Sequence, residues 1–182
     1  FCNFWRITMK KLLLTAAALS LLVFPAYATK GIRENSQQEI ARSRKNGINR
    51  VRRDGIVRVK SNYSVEETVK RFESSAKEQG LNIFGTVNHQ AGAQSAGLEL
   101  RPTQVIIFGN PRAGTPLMQC NQTVGIDLPQ KALIWEDENG QVWLGYNSPN
   151  YLSRRHKLRG CADEPLKNIG NALKMLAEKA TQ

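Results

Sequence analysis

The sequence predicts a single α+β domain with a mixed sheet and two main helices packed on one face of it. Three observations carry this prediction: short apolar or alternating runs, two longer segments with helical apolar spacing, and an Asn-Gly dipeptide between two apolar runs. In chain order these segments read β-α-β-β-β-β-α. A hydrophobic content of 41% with 23% charged residues excludes a mainly disordered or collagen-like chain.

The first half of the domain is predicted as strand, helix and strand. Alternating apolar residues at 56–60 indicate the first strand. Ser64 to Glu67 form a capping box that begins a helix, and Gly80 ends it. One face of this helix is apolar at steps of four, three and four: Val65, Val69, Phe72 and Ala76. Alternation at 81–87 predicts the second strand, and the small residues at 90–97 predict a helical turn.

The second half is predicted as three strands followed by helices. The wholly apolar run 105–108 is typical of a strand at the centre of a sheet. Runs 131–136 and 141–146 flank Asn139-Gly140, which indicates a hairpin. A short helix is expected at 149–156, and Asp163 is expected to cap the last helix. The apolar face of that helix is Leu166, Ile169, Leu173, Leu176 and Ala180.

The first 28 residues have the order of a secretory signal peptide. Met9-Lys10-Lys11 is a basic start, residues 12–24 are apolar, and Ala26-Tyr27-Ala28 supplies a small-x-small cleavage site. The apolar run is shorter than the roughly 20 residues that cross a bilayer as a helix. We therefore predict cleavage near Ala28 and a periplasmic or secreted protein, with residues 1–8 upstream of the expected initiator methionine.

The formal charge of +11 is concentrated ahead of the folded domain. Residues 29–60 hold ten basic and three acidic side chains, whereas residues 61–182 hold thirteen and twelve. We divide the chain into the presequence 1–28, a basic arm 29–53 and a single domain 54–182. The arm has no aromatic residue for stacking on bases, so no nucleic acid partner is expected. It is either a solvated tether or an adaptor for an anionic membrane or envelope surface.

Cys120 and Cys161 are the two cysteines that follow the presequence. In an oxidising compartment a single disulfide is the simplest prediction. The alternative is a metal site that includes His89 and His156, but these four residues lack the short spacings that metal sites use. We therefore expect no metal and no cofactor. His156 lies in a basic run and is expected on a solvated helix face.

The segment that follows the apolar strand is a candidate ligand site. Residues 109–115 have the glycine spacing of a phosphate-binding loop but lack its lysine, which disfavours nucleotide hydrolysis. Thr115 and Pro116 can open a helix whose free amides, near Arg112, suit a carboxylate or phosphate. The competing interpretation is a capped turn without a ligand. The candidate ligand-binding residues are Asn110, Arg112, Gly114 and Thr115.

An acid–base set is the second candidate. His89 follows the second strand and precedes a loop of small residues, and Asp127 or Glu136 supplies a carboxylate. The competing interpretation gives these side chains structural roles in turns. The short motifs of the common hydrolase, metalloprotease and dinucleotide-binding classes are absent from the sequence. Catalysis by His89 therefore stays the alternative function.

The run FGNPRAGTPLMQCNQTVGIDLP at 108–129, followed by Lys131-Ala132-Leu133, resembles the domain of unknown function 302 (DUF302) family. The resemblance extends from about Asp54 to His156. It implies a β-α-β-β-β-β-α fold, often seen as a homodimer, and no established activity. Cys120 stands where members commonly have a small residue, and Asn88 stands where they commonly have Asp. Residues that match the family motif are implied candidates for a shared site: His89, Asn110, Pro111, Gly114, Thr115, Asp127 and Glu136.

These observations predict an exported domain that binds a small ligand or a partner, without catalysis, as a homodimer. The first alternative is an enzyme that uses His89 with Asp127 or Glu136. The second is an envelope-surface adaptor that binds through residues 29–53.

Overall fold

The computed structural model describes residues 48–49 and 54–182, all within the unit formed by residues 39–182. The presequence and the basic arm lie outside the described residues, apart from Ile48–Asn49. The elements are β1 Ile48–Asn49, β2 Ile56–Lys60, α1 Val65–Glu78, β3 Asn82–Asn88, α2 His89–Ser95, β4 Thr103–Gly109, α3 Pro111–Cys120, a 3-10 helix Gln122–Ile126, β5 Gln130–Glu136, β6 Val142–Asn147, α4 Pro149–Arg155 and α5 Asp163–Thr181.

The strands form one six-stranded sheet in the order β1-β2-β6-β5-β4-β3. The predicted α+β class and the order β-α-β-β-β-β-α are confirmed. The predicted mixed sheet is wrong, because every neighbouring pair of described strands is antiparallel. Strands β2 and β3 of the β-α-β unit do run in the same direction. However, β6, β5 and β4 lie between β2 and β3, so β2 and β3 do not pair with each other.

Helices α1 and α5 cover one face of the sheet, as predicted. Alternate strand residues on this face are buried against them: Val57, Val59, Ile106, Phe108, Ala132, Ile134, Val142, Leu144 and Tyr146. The rings of Phe72 and Phe108 meet edge to face with centroids 4.9 Å apart. Burial raises the pKa of the Tyr146 hydroxyl to about 12, so this group stays protonated in the core at neutral pH.

A smaller apolar cluster packs the end of α3 and the 3-10 helix against the start of α5. It consists of Leu117, Val124, Leu158, Ala162 and Leu166. Beside it a disulfide joins Cys120 to Cys161, with their Cα atoms 6.0 Å apart. Closing a loop across 41 residues stabilises the fold by about 4 kcal/mol on the chain-entropy model.

Two local details of the hairpin and of α5 concern acidic residues. In the hairpin, Asp137 accepts the indole N–H of Trp143 at 2.8 Å, and this bond holds the pKa of the Asp137 carboxyl below its usual value.

The expected capping role of Asp163 is wrong, because α5 begins at Asp163 and its N-cap is Ala162. The Asp163 carboxylate instead accepts the backbone N–H of Gly160 at 3.0 Å, which closes the turn ahead of the helix.

Candidate functional site

A pocket of about 670 Å³ lies between α3, α5 and the adjoining ends of β3, β4 and β5. Its size is in the range of small-molecule sites. Its wall is predominantly apolar and includes Leu128, Leu173 and Leu176. The pocket lies on the helix-covered face, so its inner wall is part of the main core.

The structure brings the four predicted ligand-binding residues to this pocket. Asn110, Arg112, Gly114 and Thr115 all line it. The predicted helix start at Thr115 is wrong, however. Helix α3 begins at Pro111 after the N-cap Asn110, because this Asn-Pro pair supplies the same capping and proline signal at the end of β4.

The backbone amides at the start of α3 are already bonded. The side-chain oxygen of Asn110 accepts the N–H of Arg112 at 2.9 Å, and the Asn110 carbonyl accepts the N–H of Ala113 at 2.9 Å. The N–H of Gly114 donates to the same carbonyl at 3.1 Å. The expected cluster of free amides for a carboxylate or phosphate is therefore absent from residues 112–114.

Gln130 is the polar residue that sequence reasoning missed. It is 7% exposed and lines the pocket, and neither its amide nitrogen nor its amide oxygen has a hydrogen-bond partner among the described residues. A buried polar group without a partner costs roughly 1–3 kcal/mol. Its position in β5 was a usable signal, because Gln130 alternates in phase with the buried Ala132 and Ile134.

A β-bulge adds an aromatic side chain to the pocket. Ile83 pairs with Phe108 and Gly85 pairs with Ile107, so Phe84 is an extra residue in β3. Phe84 is 56% exposed and lines the pocket. Strand bulges commonly redirect a side chain towards a site. The simple alternation predicted for this strand overlooks the bulge, although an isolated glycine such as Gly85 is a signal for one.

Arg112 dominates the electrostatics of the pocket. It is the single charged residue among the described residues that line the pocket, and its side chain is exposed. The described part of the chain shows no ion pair of Arg112, whereas Arg58, Arg71 and Arg155 each pair with a carboxylate. The pocket is therefore apolar within and positively charged at one residue of its wall.

His156 is buried, contrary to the expected solvated position. It is 5% exposed, and its Nε2 lies 2.6 Å from the carboxylate of Asp127. Its Nδ1 lies 3.1 Å from the hydroxyl of Thr123, and Arg155 lies 3.2 Å from the other oxygen of Asp127. The basic run that surrounds His156 in sequence concealed these contacts, because its partner Asp127 lies far away along the chain.

The two carboxylates of the predicted acid–base set, Asp127 and Glu136, lie at opposite ends of β5. Asp127 precedes β5 and Glu136 ends it, so the length of this seven-residue strand, about 20 Å, lies between them. His89 begins α2 at the same end of the sheet as Glu136 and is exposed. No hydrogen bond joins His89 to Glu136 among the described residues. The carboxylate of Asp127 instead contacts the buried ring of His156.

A family model described as "Domain of unknown function DUF302" matches residues 57–176. The chain belongs to the DUF302 family. A crystal structure of an uncharacterized conserved DUF302 protein from Bacillus stearothermophilus has the same fold, with a TM-score of 0.63. The similarity covers 69% of this chain and 98% of that chain at 22% sequence identity.

The DUF302 domain also resembles parts of curated proteins named fluoride-specific ion channels. Those from Brucella suis and Brucella abortus are each 51% identical to this chain over 111 residues, or 61% of this chain. The chain spans less than half the length of these relatives, 44% and 41% respectively. In the described part of this chain, none of the helices is long and apolar enough to cross a membrane.

The unpaired amide of Gln130 predicts an unusual mutational response in this DUF302 domain. Gln130→Leu should raise the free energy of unfolding by about 1–3 kcal/mol, because it removes an unsatisfied buried amide. The matched control is Gln141→Leu, since the Gln141 amide donates to the carbonyls of Ser61 at 3.1 Å and Val142 at 2.8 Å. That control should lower the free energy. Urea unfolding measures both, and an equal loss in the two variants would contradict the assignment.

The buried contact between His156 and Asp127 predicts a second asymmetry. Asp127→Ala should lower the free energy of unfolding by about 1.5–3 kcal/mol, because it leaves the ring nitrogen buried without an acceptor. Glu164→Ala is the control, since Glu164 and Lys167 are 71% and 68% exposed and their charges lie 3.7 Å apart. Its effect on urea unfolding should be near zero. Equal effects would show that the buried contact contributes no more than a surface pair.

Proposed function

We propose that this DUF302 domain binds a small, mostly apolar molecule in the pocket between α3, α5 and the sheet, without catalysis. The unpaired amide of Gln130 carries the proposal. A fold that buries an amide without a partner gives up stability unless a ligand supplies the missing hydrogen bonds. Gln130 would bind a hydroxyl, carbonyl or carboxyl group of the ligand, while the leucines around it would bind the apolar part.

The chemistry of the pocket wall supports binding rather than catalysis. Among the described residues that line it there is no His, Cys, Asp, Glu or Lys. These are the side chains that most often act as general acids, general bases and activated nucleophiles. The wall instead offers two carboxamides, Asn110 and Asn168, one hydroxyl, Thr115, and one guanidinium, Arg112, besides Gln130.

We place this binding activity in the periplasm or outside the cell. The signal-peptide pattern at 1–28 and the disulfide between Cys120 and Cys161 support export to an oxidising compartment. The basic arm 29–53 would then hold the domain near an anionic membrane or envelope surface. The channel names of the Brucella relatives, each matched over less than half its length, are compatible with an envelope role for this domain type.

Binding can be tested with 1-decanol, which combines an apolar chain with one hydrogen-bonding group. In ¹⁵N-edited NMR spectra of the mature protein, decanol should shift the side-chain amide signals of Gln130 and the backbone signals of residues 112–114 saturably. Gln130→Leu should weaken binding about tenfold through the lost hydrogen bonds, and Gln141→Leu should not. Unsaturable shifts, or shifts spread away from the pocket, would contradict the proposal.

We further propose that two copies associate through the sheet face that α1 and α5 leave uncovered, here called the open face. Its apolar residues alternate with the buried ones: Val87, Val105, Ile107, Leu133, Trp135 and Trp143. Trp135 and Trp143 stack with ring centroids 6.5 Å apart, and Val87 is 44% exposed. Such a face suits a symmetric dimer, because the same patch contacts itself across the two-fold axis. The family resemblance also implies a homodimer.

Sedimentation velocity of the mature protein tests this association. The wild type should sediment as a dimer and Trp135→Glu as a monomer, because the variant places a charge in the apolar contact. Met175→Glu is the control, since Met175 is 44% exposed on α5 and lies off the open face. If Trp135→Glu does not fold, Val105→Glu replaces it. A monomeric wild type at high concentration, or a dimeric open-face variant, would refute the association.

A further inference from the structure

We infer that the ligand of the pocket is an anionic amphiphile: an acyl or alkyl chain with an anionic oxygen head group at Arg112 and a second hydrogen-bonding group at Gln130. This inference rests on the proposed function and specifies its ligand class. It uses two side chains that line the same pocket and have no polar partner for this purpose among the described residues. One is a buried neutral amide and the other is an exposed cation.

The charge of the wall selects the head group. Arg112 is the single charged residue among the described lining residues, and no carboxylate pairs with it in the described part of the chain. A guanidinium binds carboxylate and phosphate oxygens with paired N–H donors. Because Asn110 is already bonded to the first amides of α3, the guanidinium is the charged donor that remains to bind an anion there. A cationic ligand would meet no opposite charge in this wall.

The apolar wall selects the body of the ligand. Phe84, Met118, Leu173 and Leu176 line the same pocket as Arg112. A bare inorganic anion would leave these side chains in contact with water and would gain nothing from them. An alkyl chain removes their surface from water, which stabilises the complex in proportion to the apolar area that it buries.

Gln130 selects a polar group away from the head group. Gln130 is paired with Phe108 across the sheet, in the buried layer, whereas Arg112 is exposed on the first turn of α3. One head group at Arg112 therefore leaves the buried amide for another atom of the ligand. A hydroxyl group on the chain both donates and accepts, so it can bond the amide oxygen or the amide nitrogen.

The test compares 1-decanol, decanoate, decyl phosphate and 3-hydroxydecanoate by calorimetric titration of the mature protein. Both anions should bind about fivefold more tightly than decanol, and in Arg112→Gln the affinities for decanol and for the two anions should become similar. The ratio of decanoate to decyl phosphate affinity distinguishes a carboxylate from a phosphate head group. The hydroxyl of 3-hydroxydecanoate should add a further fivefold, which Gln130→Leu should remove.

The control variant is Arg154→Gln, which removes one positive charge from α4, outside the pocket wall. Arg154→Gln should leave all four affinities unchanged. Equal weakening by Arg154→Gln and Arg112→Gln, or no weakening by Arg112→Gln, would overturn the inference. So would displacement of decanoate by equimolar inorganic phosphate or fluoride, which would indicate a site for bare anions. Decanol binding that depends on Gln130 would in each case leave the proposed function standing.

Discussion

Two helices cover one face of a six-stranded antiparallel sheet, and this one-sided packing determines the rest of the structure. Helix α5 is longer than α1 and contacts α3 as well as the sheet. The pocket forms where α3, α5 and the ends of three strands meet, and its inner wall is the main core itself. The open face of the sheet also carries apolar residues, but neither α1 nor α5 covers them. One packing constraint therefore generates both candidate contact surfaces of the domain.

Local sequence signals were sufficient to locate the main strands and both long helices, although not every helix start, and they were insufficient to determine which strands pair. The capping box at Ser64, the glycine after α1 and the Asn139-Gly140 turn each act within a few residues, and each prediction is confirmed. The pairing of β2 is different, because it depends on which strands enter between β2 and β3. A β-α-β unit favours a parallel pair only when its two strands are adjacent. That condition is a property of the whole sheet, so the mixed sheet was predicted wrongly.

The candidate site was predictable in part for the same reason. Asn110, Arg112, Gly114 and Thr115 lie within six consecutive residues, so a local motif was enough to place them together. Gln130 required the phase of β5 relative to buried neighbours, which the sequence contains. The contact of His156 with Asp127 required knowledge of the tertiary fold, since the residues are 29 apart and the local run is basic. Residues that act through distant partners are the ones that composition and spacing misplace.

Two parts of the pocket wall are stabilised by different contacts. Phe108, Leu173 and Leu176 belong to the main core, so the packing of the whole domain fixes their positions. Met118, Gly125 and Leu128 belong instead to the segment that contains the end of α3 and the 3-10 helix. This segment is braced by the disulfide of Cys120 and by the contact of Asp127 with His156.

Both braces connect this segment to the chain around α4 and the start of α5, beyond the sheet. A short segment without a sheet partner opens locally at a lower free energy than the core does, unless such cross-links hold it. The disulfide therefore does more than stabilise the folded chain as a whole. It fixes one wall of the pocket, and this wall therefore has its final shape only where conditions allow the disulfide to form. In the exported protein that we propose, the binding pocket would therefore be completed after the domain enters an oxidising compartment.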